Sequence, residues 1–166
     1  MATTDSDLLA EQILSTWRRH HDILLYLLRK IPARGWTALP SGSKGRDVAR
    51  QFAHLDRNRR SWLHYHRTGQ RRSLPRVDKG PPPTRAAVRQ ALQQSGRDVE
   101  RYLSKVVHEG VRPRLFGRSG IRWMGYLIAH ESHHRGQIML ALKQSGHRLP
   151  DSVAVDGLWG QWIFGK

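Results

Sequence analysis

Apolar side chains recur at steps of three and four along four stretches of the chain, the spacing of a helical face. In the first stretch, about Asp5 to Lys30, the stripe is Leu9, Ile13, Trp17, His21, Leu24, Leu28 and Ile31. Thr4 and Asp7 have the spacing of a capping box, and Pro32 stops the helix. The second stretch, about Lys44 to Arg67, carries Val48, Phe52, Leu55, Trp62 and Leu63, and Gly69 supplies its C-cap. The third opens after Thr84 and runs to about His108 with Val88, Leu92, Ser95, Val99, Tyr102, Leu103 and Val106. The fourth, about Ile121 to Gln144, presents Trp123, Leu127, His130, His134, Ile138 and Ala141 on one face.

Residues 69–83 and 109–119 are basic and aperiodic, and read as long connections. The tail from Leu149 to Lys166 holds Trp159, Trp162 and Phe164, too apolar to float free. No strand pattern competes. These patterns predict an all-α fold, a four-helix bundle with long connections and a Trp-containing C-terminal tail, formed by residues 1–166 as one domain.

A chain of 166 residues is long enough to bury a core without covalent staples. It has no cysteine, which removes disulfides, thiol nucleophiles and cysteine-ligated metals. No apolar run reaches the roughly 20 residues of a membrane span. The N-terminal residues lack the pattern of a secretion signal, so a cytoplasmic location and no membrane role are the expectation. Lys and Arg number 29 against 13 Asp and Glu, a formal charge of +16. Residues 41–120 carry 19 of the basic groups and 6 of the acidic ones. That field attracts anions and makes a nucleic-acid binder one reading. No zinc finger, RNP motif or clear helix-turn-helix accompanies it.

Histidine carries the candidate chemistry. His130 and His134 are four apart on the core-facing side of the fourth helix, so their rings share one surface. Two imidazoles in an apolar stripe need partners, and a metal ion is one. On the second helix His54, Asn58, Ser61 and Tyr65 form a polar lane beside the stripe, with His54 at a depth that can meet the pair. His21, in the first stripe, competes as third ligand or as a partner behind the ligands. His64 and His66 fall near the helix end, where solvent or the basic loop is expected. His130 to His134 also reads as H-E-x-x-H, the zinc-protease motif. Gln137 and Leu140 stand where a metzincin needs Gly and His, and no glutamate follows Glu131 to act as a third ligand. Proteolysis is therefore set aside, and Glu131 is expected as a solvated or hydrogen-bonded neighbour of the site.

The run Leu127-Ile-Ala-His-Glu-Ser-His-His-Arg-Gly-Gln-Ile138 resembles the last bundle helix of the DinB/YfiT-like superfamily. Arg46-Asp-Val-Ala-Arg-Gln-Phe-Ala-His-Leu55 is similar to its histidine-bearing second helix. The resemblance implies a metal site of His54, His130 and His134, and a homodimer. It also implies kinship with metal-dependent thiol transferases and a thiol-dependent isomerase. The basic middle and the Trp-rich tail depart from the usual pattern.

Three imidazoles leave a divalent metal with an open position and suit zinc, nickel, iron or manganese. The leading expectation is a transferase using a small, acidic thiol cosubstrate, consistent with a chain that has no thiol of its own. A metal-dependent hydrolase and a non-enzymatic nucleic-acid binder are the alternatives. Arg57 and Arg135 are candidates to hold a carboxylate. Gln137 is a candidate to orient a ligand or water. No side chain is assigned a catalytic role.

Overall fold

A computed structural model describes residues 4–71, 74 and 79–165. Among them there are helices and no strands: α1 (Asp5–Lys30), α2 (Val48–Thr68), α3 (Arg85–Glu109), α4 (Gly120–Gln144) and the short α5 (Gly160–Ile163). Residues 72, 73 and 75–78 of the connection expected at 69–83 lie outside the described residues, as do 1–3 and 166. No described helix is long and apolar enough to cross a membrane.

The helix ends follow local chemistry. Thr4 and Asp7 form the full capping box of α1. Thr84 caps α3 by accepting from the backbone N–H of Ala87. Gly69 closes α2 with φ +76°, a left-handed turn that suits glycine. The second helix starts later than its periodicity predicts. Asp47 caps it by accepting from the Arg50 N–H, and Lys44 lies outside. A capping carboxylate marks a helix start better than the outer edge of a polar run does.

Helices α3 and α4 each pack against both α1 and α2. The interior divides into three levels. One apolar cluster gathers Ile23, Leu27, Val48, Phe52, Leu92 and Ile138. A second gathers Leu14, Trp17, Leu63, Val99, Trp123 and Leu127. Between them each helix contributes polar or small groups: His20 and His21 from α1, Arg59 from α2, Ser95 and Gly96 from α3, and Glu131 from α4. His20, Arg59 and Glu131 are 0% exposed.

The first stripe is wider than the expected one: Trp17, Leu24, Leu28 and Ile31 are buried as expected, and Leu14, His20, Ile23 and Leu27 join them. Leu9 is exposed, whereas Ala10 is buried. Steps of three and four admit both registers, and a helix packed against two neighbours buries residues of both, leaving Leu9 outside at its N-terminal end. The tail folds back on α1. Leu149, Val153 and Leu158 are buried and Trp162 packs against the same cluster. Residues Ser152–Gly157 form one wide π-helical turn. A Cβ on Gly157 would lie 2.2 Å from the Tyr26 hydroxyl, so glycine permits this approach without displacing the Tyr26 ring.

Candidate metal centre

Helix α2 delivers His54 and helix α4 delivers His130 and His134. One ring nitrogen of each lies within 4.8 Å of the others. The Nε2 atoms of His54 and His130 are 3.4 Å apart. Two nitrogens bound tetrahedrally to zinc at about 2.0–2.1 Å would stand about 3.3 Å apart. The donor set is therefore of the right chemistry and close to the right size for a divalent metal.

Neighbouring side chains orient the rings. Nδ1 of His134 donates to Oε1 of Gln51 at 3.1 Å, which leaves the lone pair on Nε2. Gln51 is 2% exposed and is one turn before His54 on α2. The carboxamide of Asn58 lies 3.3 Å from Nδ1 of His130. The amide Nδ2 is the atom placed there; a half-turn of the carboxamide would present its oxygen instead, accept the Nδ1 proton and leave the His130 Nε2 lone pair free. Burial and the surrounding His54, His130 and His133 push His134 down to about 3. Burial also holds His130 below its ordinary value. Both imidazoles are thus neutral at pH 7, the form that ligates.

Beside His54 a cleft of about 380 Å³ runs along α2. Asn58, Ser61 and Tyr65, the polar lane of the sequence, line it together with Arg57, Trp62, Arg71 and Leu115. Arg57 also donates to the Leu74 carbonyl at 3.2 Å. The cleft carries two guanidinium groups, and no carboxylate is among the described residues lining it.

Several expected neighbours lie elsewhere. His21 does not join the triad. Its ring is parallel to that of Trp17, its Nδ1 accepts from Arg59 at 3.2 Å, and burial with the Arg59 charge pushes it down to about 3. Gly96 makes room for it, since a Cβ there would lie 2.4 Å from the His21 ring. Glu131 takes the hydrogen-bonded of its two expected states, turned away from the triad. One step along a helix is about 100°, so the residue after His130 points into the core. There Arg59 donates to it through Nε and Nη2 at 2.7 and 2.6 Å, and His20 Nε2 lies 2.8 Å from the same carboxylate. Arg59 and that hydrogen bond hold Glu131 far below the usual carboxylate range despite its burial. The glutamate of the H-E-x-x-H string is thus committed to the core and faces no substrate. Arg135 is half-buried and donates to Ser132 Oγ at 2.8 Å, and Gln137 bonds the exposed His133 ring at 2.7 Å. Neither is among the described residues lining the cleft.

Sequence reasoning missed Gln51 and Arg59. Gln51, His54 and Asn58 are spaced three and four apart, so the signal for Gln51 was the same lane extended by one turn. Arg59 gave no signal, because a buried arginine in an arginine-rich helix looks like its solvated neighbours.

Helical packing and three converging imidazoles define a class: an all-α protein with a candidate tri-histidine metal centre. The DinB family model matches residues 1–163, and the chain belongs to the DinB family. Among curated proteins none matches it.

Proposed function

We propose that the chain is a metal-dependent transferase whose cosubstrate is a small acidic thiol, built on the four-helix bundle expected of its family. The observation that supports this reading most is the placement of His54 in both the histidine triad and the lining of a cleft that presents Arg57 and Arg71. His54, His130 and His134 would hold a divalent metal. When bound, that metal supplies Lewis acidity that keeps a thiol deprotonated at neutral pH.

The chain's own residues then do the rest. Gln51 and Asn58 fix the ring orientations. Arg57 and Arg71 attract a carboxylate on the cosubstrate and orient it by paired N–H donors. Trp62 and Leu115 give the cleft an apolar wall that limits water around the sulfur. Transfer is favoured over hydrolysis because Glu131, the carboxylate adjacent to the ligands in sequence, is bound to Arg59 and His20 and unavailable to take a proton from water.

The test uses the full chain loaded with cobalt(II). A small carboxylated thiol should produce the near-ultraviolet charge-transfer band of a sulfur ligand, and its carboxamide analogue should bind about tenfold or more weakly, the scale of one charge-assisted contact. Arg57→Gln should erase that preference. Equal binding of thiol to metal-free protein, or no sulfur band with any thiol, would overturn the reading.

A further inference from the structure

A second polar chamber lies at the C-terminal end of α2, twelve residues or about 18 Å along the helix from His54. His66 was expected near solvent, yet it is 5% exposed, and neither ring nitrogen has a hydrogen-bond partner. Aromatic rings hold it in place. Trp62 and Tyr102 stack on it at 5.8 and 5.5 Å, and Trp123 meets it edge-on at 4.8 Å. The Tyr102 hydroxyl is buried beside it, also without a partner. Burial and the Arg114 charge push His66 down to about 4, so at neutral pH the ring keeps one N–H to donate.

Two clefts of about 390 and 580 Å³ adjoin this pair, and His66 and Arg112 line both. Arg114 and Arg118 border the smaller one. Arg67, Arg101, Lys105 and Tyr102 border the larger. No carboxylate is among the described residues lining either. Two of the cations are braced: Arg101 by Asp98, and Arg114 by donating Nε to the His66 carbonyl at 3.2 Å.

Cations near helix C-termini complement the helix dipole, which accounts for Arg67 and Lys105. It does not account for Arg112, Arg114 and Arg118, which stand on the 110–119 connection. Nor does it account for two buried, unpartnered groups able to donate at the chamber's inner wall, since buried polar groups are ordinarily satisfied. His66 and Tyr102 both line the larger cleft, so an anion held there would have both groups on its wall. Clefts of this size suit a small molecule. The phosphates of a nucleic-acid duplex are joined along a backbone, which fits them to an open basic surface better than to groups as buried as His66 and Tyr102.

We propose that this chamber binds a small ligand with a multiply charged phosphate group, pyrophosphate being the simplest, held by Arg112 and its neighbouring cations outside and by His66 and Tyr102 inside. The site is separate from the histidine triad and does not depend on the transferase reading.

Calorimetric titration of the metal-stripped full chain with pyrophosphate tests it, because no bound metal can then capture the ligand. Saturable one-to-one binding is expected. Arg112→Gln should weaken it by about tenfold, as loss of a charge-assisted contact does. Tyr102→Phe, which removes one oxygen and keeps the ring, should weaken it by about fivefold. Arg89→Gln removes the same charge from the exposed face of α3 and should leave the affinity within about twofold, as a distant surface charge does. Absence of saturation, equal weakening by Arg89→Gln, or wild-type affinity in both Arg112→Gln and Tyr102→Phe overturns the proposal. So does a DNA duplex that displaces pyrophosphate and binds the Arg112→Gln chain as tightly as the wild type.

Discussion

Arg59 grips both carboxylate oxygens of Glu131 in the centre of the molecule, at 2.7 and 2.6 Å, and both side chains are 0% exposed. The pair ties α2 to α4 one turn from the histidine triad. Arg59 also donates to the Leu92 carbonyl of α3 and lies 4.9 Å over the Trp17 ring of α1. One side chain thus reaches three other helices.

Removing one member of this pair leaves the other charged and buried. Glu131→Ala should therefore destabilise the fold by about 3–5 kcal/mol. The double variant Arg59→Met, Glu131→Leu should recover most of that loss, since an apolar replacement strands no charge. Chemical denaturation of the two singles and the double checks this. A double variant as unstable as the sum of the singles would show that the pair is not the source of the effect.

Gln51 sets the His134 tautomer without touching the metal position. Gln51→Leu should lower metal affinity by about 10–100-fold while leaving the helical content intact. Competition with a chromogenic chelator reads the affinity. His21→Ala should keep the full metal content, and His54→Ala should lose it, by elemental analysis. The reverse pattern would put His21 in the site.

Acid should destabilise the metal-free protein early. His21 and His134 are held near 3 and His66 near 4, below the ordinary 6.5. Between 6.5 and those values the unfolded chain binds protons that the folded chain refuses. The histidine contribution to stability therefore falls as pH drops through 6.5 and levels off near 3 to 4. The depressed Glu131 acts in the same direction: its contribution is present above the ordinary carboxylate value of 4.5 and is lost as pH falls below it. Thermal unfolding at several pH values between 7.5 and 4 gives the slope. His21→Asn preserves an acceptor for Arg59 and should make the slope shallower. An unchanged slope would remove His21 from the account.

The tail leaves an apolar edge. Trp159, Ile163 and Phe164 are 61%, 68% and 69% exposed, although Leu158 and Trp162 on the same segment pack inward. The dimer implied by the family resemblance would have a natural surface there. Sedimentation should give twice the 19.1 kDa chain mass. Trp159→Ser with Phe164→Ser should return the protein to the monomer. A wild-type chain that sediments as a monomer at high concentration would end this expectation.

The sequence by itself determined the four long helices, because each must bury an apolar stripe, and Thr4 and Pro32 bound the first while Gly69 ends the second and Thr84 opens the third. It also brought His54, His130 and His134 into one hypothesis, because a period of 3.6 assigns residues to faces. Faces were as far as it reached. That both His20 and His21 turn inward depends on the neighbouring helices: Glu131 of α4 receives the first, and the close approach of α3 at Gly96 leaves room for the second. Nothing in the sequence singled out Arg59 or chose between a solvated and a hydrogen-bonded Glu131; that was decided when α2 and α4 brought the two together out of water. His66 became an inner wall only when Trp62, Tyr102 and Trp123, far apart in the chain, closed around it. Periodicity is a property of one helix, whereas desolvation and charge pairing belong to contacts between helices, and those exist only in the tertiary structure.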